Sequence, residues 1–86
     1  MPDTARALVD YVDQNKGAEA SSVIIEIVLA SCHPDFVMSL VSATALPSSL
    51  RRAISDYLTY ILLHGLTREE QQKLFAWAQA KMLAGP

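Results

Sequence analysis

Glycine and proline occupy only seven of the 86 positions, and their placement dictates what the chain can fold into. Gly17, Gly65 and Gly85 each close a run with helical spacing, where a residue just past the helix end adopts positive φ at low cost. Pro2, Pro34 and Pro47 each stand at or just before the start of such a run, where a missing N–H costs nothing. No Asn-Gly or Asp-Gly pair separates alternating apolar runs, so no tight hairpin is signalled. The punctuation therefore predicts an all-α chain, a compact bundle of about five short helices.

The first helix is expected over 4–16, with Asp3 as N-cap and an apolar stripe at Ala5, Leu8, Val9 and Val12. The second is expected over 19–32. Its β-branched run Val23-Ile24-Ile25 also suits a strand, but no partner strand exists elsewhere, which favours the helix. The third is expected over 36–45, capped by Asp35, with Phe36, Val37, Leu40 and Val41 at helical spacing. The fourth, over 49–64, takes Ser48 or Ser49 as cap and carries a stripe at Leu50, Ile54, Tyr57, Leu58, Ile61 and Leu62. The fifth, over 67–84, opens on Thr67-Arg68-Glu69-Glu70, a Thr-x-x-Glu capping box. Its inward side reads as Leu74, Phe75, Ala78 and Met82.

A chain of 86 residues and 9.4 kDa builds one hydrophobic core, so a single helical domain is expected over 1–86. Hydrophobic residues make up 51% against 19% charged ones, which excludes a disordered, charge-rich tail. The Ala20–Leu50 stretch holds only Glu26 and Asp35 as formal charges in 31 residues. Two helices of a solvated monomer each show a charged outer face, and these do not. They are either the centre of the bundle or, in part, a subunit interface, with a C2 dimer as the first choice of oligomer. The Met1-Pro2-Asp3-Thr4 start has no basic region leading into an apolar run, so no signal peptide is expected. The most apolar run, Val23 to Ala30, falls short of the about 20 residues a bilayer requires. With its single cysteine, the chain reads as cytoplasmic and free of the membrane.

Chemistry is hard to place on these residues. Cys32 and His33 are adjacent, and neighbours on a helix point about 100° apart, which does not suit a thiolate and its base. Together with His64 they show no metal-ligand spacing, so no metal or cofactor is expected. Cys32 reads as a small apolar filler, and His33 as a cation at a helix C-terminus. Glu26 lies in line with Ser22 and Ala30 on a narrow polar strip, which predicts solvent exposure. No phosphate loop, Ser/His/Asp order or carboxylate pair is present, and the Asp-Ser attachment pair of an acyl carrier is absent. No catalytic residue is expected.

Partner binding is the remaining reading. Trp77 points about 110° from the fifth helix's inward direction, between Lys73 and Lys81 at i−4 and i+4. Tyr60 and Leu63 lie off the main stripe of the fourth helix. Aromatic residues beside cations are typical of a protein-binding patch, which makes Trp77, Lys73, Lys81, Tyr60 and Leu63 the candidate partner-binding residues. The sequence thus predicts a small non-enzymatic module that self-associates and binds a protein partner. The alternative is a helix-turn-helix DNA-binding protein contacting phosphates through Arg51, Arg52, Arg68, Lys73 and Lys81. The net charge of −2 and the i+4 pairing of Arg52 with Asp56 disfavour nucleic acid.

Overall fold

A computed structural model of the chain describes residues 1–83. Among them are five helices and no strand: α1 (Asp3–Gln14), α2 (Glu19–Cys32), α3 (Leu40–Thr44), α4 (Ser48–His64) and α5 (Arg68–Leu83). The bounds of α2 match the sequence expectation. Gly17 and Gly65 take φ of +81° and +72°, as their places after α1 and α4 require. Gly85, expected to end α5, and Ala84 lie outside the described residues.

Three local expectations are corrected. Pro2, not Asp3, occupies the N-cap position of α1, and its carbonyl accepts from the Arg6 N–H at 3.0 Å. Asp3 instead sits in the first turn, where the helix dipole favours a carboxylate. Pro47 takes the same role for α4 in place of Ser48 or Ser49. The third helix starts at Leu40, four residues later than its apolar spacing suggests, and Ser39 replaces Asp35 as its cap. Ser39 Oγ accepts from the Ser42 N–H at 3.1 Å.

Tertiary contacts cause that late start. His33 Nδ1 takes the Asp35 N–H at 3.1 Å, and the His33 carbonyl takes the Phe36 N–H at 3.2 Å, so the chain turns sharply after α2. Phe36 then packs edge-on against His33 and Phe75, each 5.7 Å away. Glu26 Oε1 captures the Ser39 N–H at 2.7 Å. The Ser39 N–H is the first donor a helix from Phe36 would use, so its capture by α2 and the anchoring of the Phe36 ring leave the helix to start at Leu40.

The core is assembled around α2. Its Ile24, Ile27, Val28, Leu29 and Cys32 are buried, and they meet Leu8 and Val12 of α1, Ile54 and Tyr57 of α4, and Leu74 and Ala78 of α5. Each fully buried side chain of this size contributes about 1.5–3 kcal/mol. The most extensive contact is between α2 and α5, followed by that of α1 with α4. Gln71 Nε2 donates to the Cys32 carbonyl at 2.6 Å, which sets the start of α5 against the end of α2 and makes the two antiparallel. The reciprocal capping box of α5 forms as its sequence implies: Thr67 Oγ1 accepts from the Glu70 N–H at 3.1 Å, and Glu70 Oε1 accepts from the Thr67 N–H at 2.9 Å. On α4 the buried line is Leu50, Ile54 and Tyr57. Leu58 and Ile61 are half-buried, while Leu62 faces water.

A polar pair lies at the edge of this core, between half-buried Ser31 and buried Tyr57. The Ser31 hydroxyl carries a single proton and donates it to the Val28 carbonyl at 2.7 Å. It therefore accepts from the Tyr57 hydroxyl, 2.6 Å away, which joins α4 to α2. Tyr57→Phe removes only a donor and leaves Ser31 bonded to Val28, at about 0.5–1.5 kcal/mol. Ser31→Ala strands a phenol hydroxyl in the core, at about 1–3 kcal/mol. Even after the helix-propensity gain of alanine, denaturant midpoints should fall further for Ser31→Ala; the reverse order would remove Ser31 as the partner of Tyr57. Burial also pushes the Tyr57 phenol up to about 12, above its unfolded value of about 10. The neutral phenol therefore stabilises the fold fully below about pH 10, and that contribution is lost as pH rises towards 12. Wild-type stability should drop more steeply than that of Tyr57→Phe across this window, as read by denaturant titration.

Candidate functional site

Two of the three sequence-selected residues of α5, Trp77 and Lys81, are tied to the end of α1. Lys81 Nζ lies 2.8 Å from Asp13 Oδ1, and the Trp77 indole N–H donates to the same oxygen at 3.2 Å. Trp77 is half-buried, its ring packed on the core and its nitrogen turned to Asp13 at the surface. The Lys81 ammonium, followed by the Trp77 donor, holds the Asp13 carboxyl below the usual carboxylate range. Asp13 was not singled out in the sequence, because it stands 64 residues from Trp77 and no local pattern links them. Lys73 pairs with Glu69 one turn earlier, at 2.9 Å.

Tyr60 is half-buried and its ring lies 5.0 Å from that of His64, at the end of α4. Beside them Leu62 and Leu63 are 85% and 74% exposed. The structure thus joins Trp77 and Lys81 through Asp13, and leaves Leu63 in a separate apolar group with Leu62.

The charge-poor stretch divides into two parts. Val28 is fully buried, so α2 is the centre of the bundle. The segment beyond it is another matter: Val37, Leu40 and Val41 are 80%, 65% and 81% exposed. Their helical spacing suggests a buried stripe, yet they form an uncovered apolar patch within a segment that has no formal charge between Asp35 and Arg51. That missing charge was the readable signal.

Between α2, the α1–α2 turn, the end of α5 and the segment after α2 runs an open groove of about 930 Å³. Ile25, Leu29, Phe36 and Val37 give it apolar walls, and Lys16, Lys81, Glu26 and Asp35 stand along its rim. Glu26 is exposed, as its polar strip implies.

The remaining candidates sit in structural roles. Cys32 is buried, and burial pushes its thiol up, away from thiolate character. The His33 ring stacks on Phe75 at 5.5 Å and its Nδ1 accepts from the Asp35 N–H. Among the described residues no group of three His, Cys, Asp or Glu side chains is placed to hold a metal ion. No helix among them is long and apolar enough to cross a membrane. Arg51 and Arg52 lie in the first turn of α4, about 20 Å of helix from its C-terminal end near Arg68. The i+4 pairing expected of Arg52 and Asp56 is not among the ion pairs of the described residues.

Comparison with family models, with curated proteins and with solved structures finds no match.

The Asp13 site makes a pH-dependent contribution to stability. A carboxyl whose folded pKa is depressed stabilises above its unfolded value of about 3.9, and the contribution fades as pH falls through the lower folded value. Asp13→Asn should therefore cost less than about 1 kcal/mol at neutral pH, as expected of a surface pair. Its difference from wild type should shrink below about pH 4. A difference that stays constant or grows on acidification would contradict the assignment. Trp77 is the only tryptophan, so its fluorescence should report the release of Asp13 directly.

Proposed function

We propose that this chain is a small non-enzymatic interaction module that self-associates and binds a protein partner. The observation that carries the reading is the exposed apolar patch of Val37, Leu40 and Val41 in a segment without charge. Single exposed apolar residues are ordinary, but three within five consecutive positions, Leu40 and Val41 opening α3 and Val37 in the segment leading into it, concentrate uncovered apolar surface of the kind that marks contact sites. Near a two-fold axis like meets like, so a charge-free segment is one that a second copy can approach without repulsion. Leu62 and Leu63 at the end of α4 provide a second exposed apolar group for a different partner. Lys73 and Lys81 each have an acid within 3 Å, which weakens the phosphate-binding alternative that would need them.

Sedimentation at micromolar concentration tests the reading: the protein should run above its 9.4 kDa monomer mass. The double variant Leu40→Glu with Val41→Glu changes only exposed positions, so it should keep its helical circular dichroism while its mass shifts towards the monomer. A wild-type chain that stays monomeric at high concentration would end the self-association reading. Heparin retention that falls steeply with salt would favour the DNA-binding alternative instead.

A further inference from the structure

We infer that the groove along α2 is the seat of a second copy of this chain, joined antiparallel about a two-fold axis perpendicular to α2. The inference rests on the self-association proposed above and adds where, and in what orientation, the copies meet.

The groove has two unlike ends. Its lining follows α2 from Ala18 to Leu29, about 17 Å at the rise of an α-helix. Lys16 lies in the α1–α2 turn, three residues before α2 begins, and antiparallel α5 brings Lys81 and Met82 back to that same end. Asp13 is bound to Lys81 there and Glu19 heads α2 just outside the lining, so Lys16 is the lining lysine of this end with no ion-pair partner among the described residues. The other end is acidic, with Glu26 on α2 and Asp35 just beyond it. Each end also carries an exposed apolar side chain, Met82 at the one that holds Lys16 and Val37 at the acidic one.

A two-fold axis across the middle of α2 exchanges the ends. Lys16 and Lys81 of one copy then face Glu26 and Asp35 of the other, and Val37 meets Met82. Both the charge pattern and the apolar contacts are satisfied twice, which is what an isologous interface demands. A parallel arrangement would set lysine against lysine and carboxylate against carboxylate. At the axis the lining is small, with Ser21 and Ser22 beside half-buried Ile25, so the two α2 faces can approach closely. The patch of Leu40 and Val41 adjoins Val37 and extends the contact at each acidic end.

Charge reversal tests the orientation. Lys16 and Asp35 are both exposed, so Lys16→Glu and Asp35→Lys should leave the fold intact by circular dichroism and thermal melting. Each single reversal should weaken the dimer about tenfold or more, and the double reversal should return to within about threefold of wild type. Val37→Glu should give a folded monomer, whereas Leu62→Glu, outside the groove lining, should leave the dimer unchanged. Raising salt should weaken wild type more than a variant that has lost the charge pair. If the protein dimerises but neither single reversal nor Val37→Glu affects it, the groove is not the seat and self-association stands elsewhere. If single reversals weaken the dimer and the double reversal does not recover it, the antiparallel orientation is wrong. A monomeric wild type would overturn both this inference and the reading on which it rests.

Discussion

Fourteen consecutive residues with only Glu19 and Glu26 charged give α2 too little polar surface to lie against water, so other helices must enclose it. That requirement orders the rest of the molecule. α5 lies antiparallel along it, α1 packs against it, and α4 reaches it through Tyr57. Ile27 and Leu29 stand two positions apart, on nearly opposite sides of the same helix, and both are buried, which needs neighbours on more than one side. α1 has a cleaner amphipathic pattern, with its buried residues confined to one stripe, because it has to contact the bundle along one side only.

Apolar burial is non-directional and leaves the angles between helices loosely set. The polar contacts of α2 supply what it lacks, and they cluster at its C-terminal half. Ser31 fixes the approach of Tyr57, the Cys32 carbonyl fixes the start of α5, and Glu26 fixes the segment that leads into α3. The N-terminal end is closed differently. There Ser21 Oγ donates to the Asn15 carbonyl at 2.7 Å across the α1–α2 turn, and Asp13 gathers Trp77 and Lys81 from α5. Every one of these contacts joins residues that are distant in sequence or lie across a turn. A packed but unspecific globule of helices would not place them.

What could be read from the sequence divides along the same line. The limits of α2 and the Thr67–Glu70 capping box are local matters of spacing and hydrogen bonding within a few residues, and they were legible. The start of α3 was not. Its spacing favours a helix from Phe36, but Glu26 takes the Ser39 N–H, the first donor such a helix would use, and that contact has no sequence signature. Trp77, which the helical spacing sets apart from the inward stripe of α5, is half-buried with its ring on the core and its nitrogen on Asp13. That its indole would find Asp13 required knowing which end of α1 meets α5. Leu62 continues the i, i+4 stripe of α4 and yet is exposed, because the neighbours of α4 stop covering it before the stripe ends. The patch at Val37, Leu40 and Val41 was half-legible: absence of charge marked the segment, and only the fold shows which of its residues remain uncovered.

The open side of α2 follows from how few residues are left to cover it. α1 and α5 are long enough to flank α2, and α4 is engaged with α1. The remaining candidate is the segment between α2 and α4, of which α3 takes up five residues. Its turn at Pro34 and its attachment to Glu26 hold it to the C-terminal half of α2, and the face from Ala18 to Ile25 stays open beside it. A longer α3 lying in the groove would have covered Ile25 and hidden Val37. The length missing from α3 therefore accounts for both features of the proposed contact, a groove open along α2 and an apolar patch at one end with nothing of its own chain over it. Since both arise from the same shortage, the proposed second copy, supplying its Val37 to the end that holds Lys16 and receiving its partner's Met82 at the end that holds Asp35, would complete the enclosure of α2.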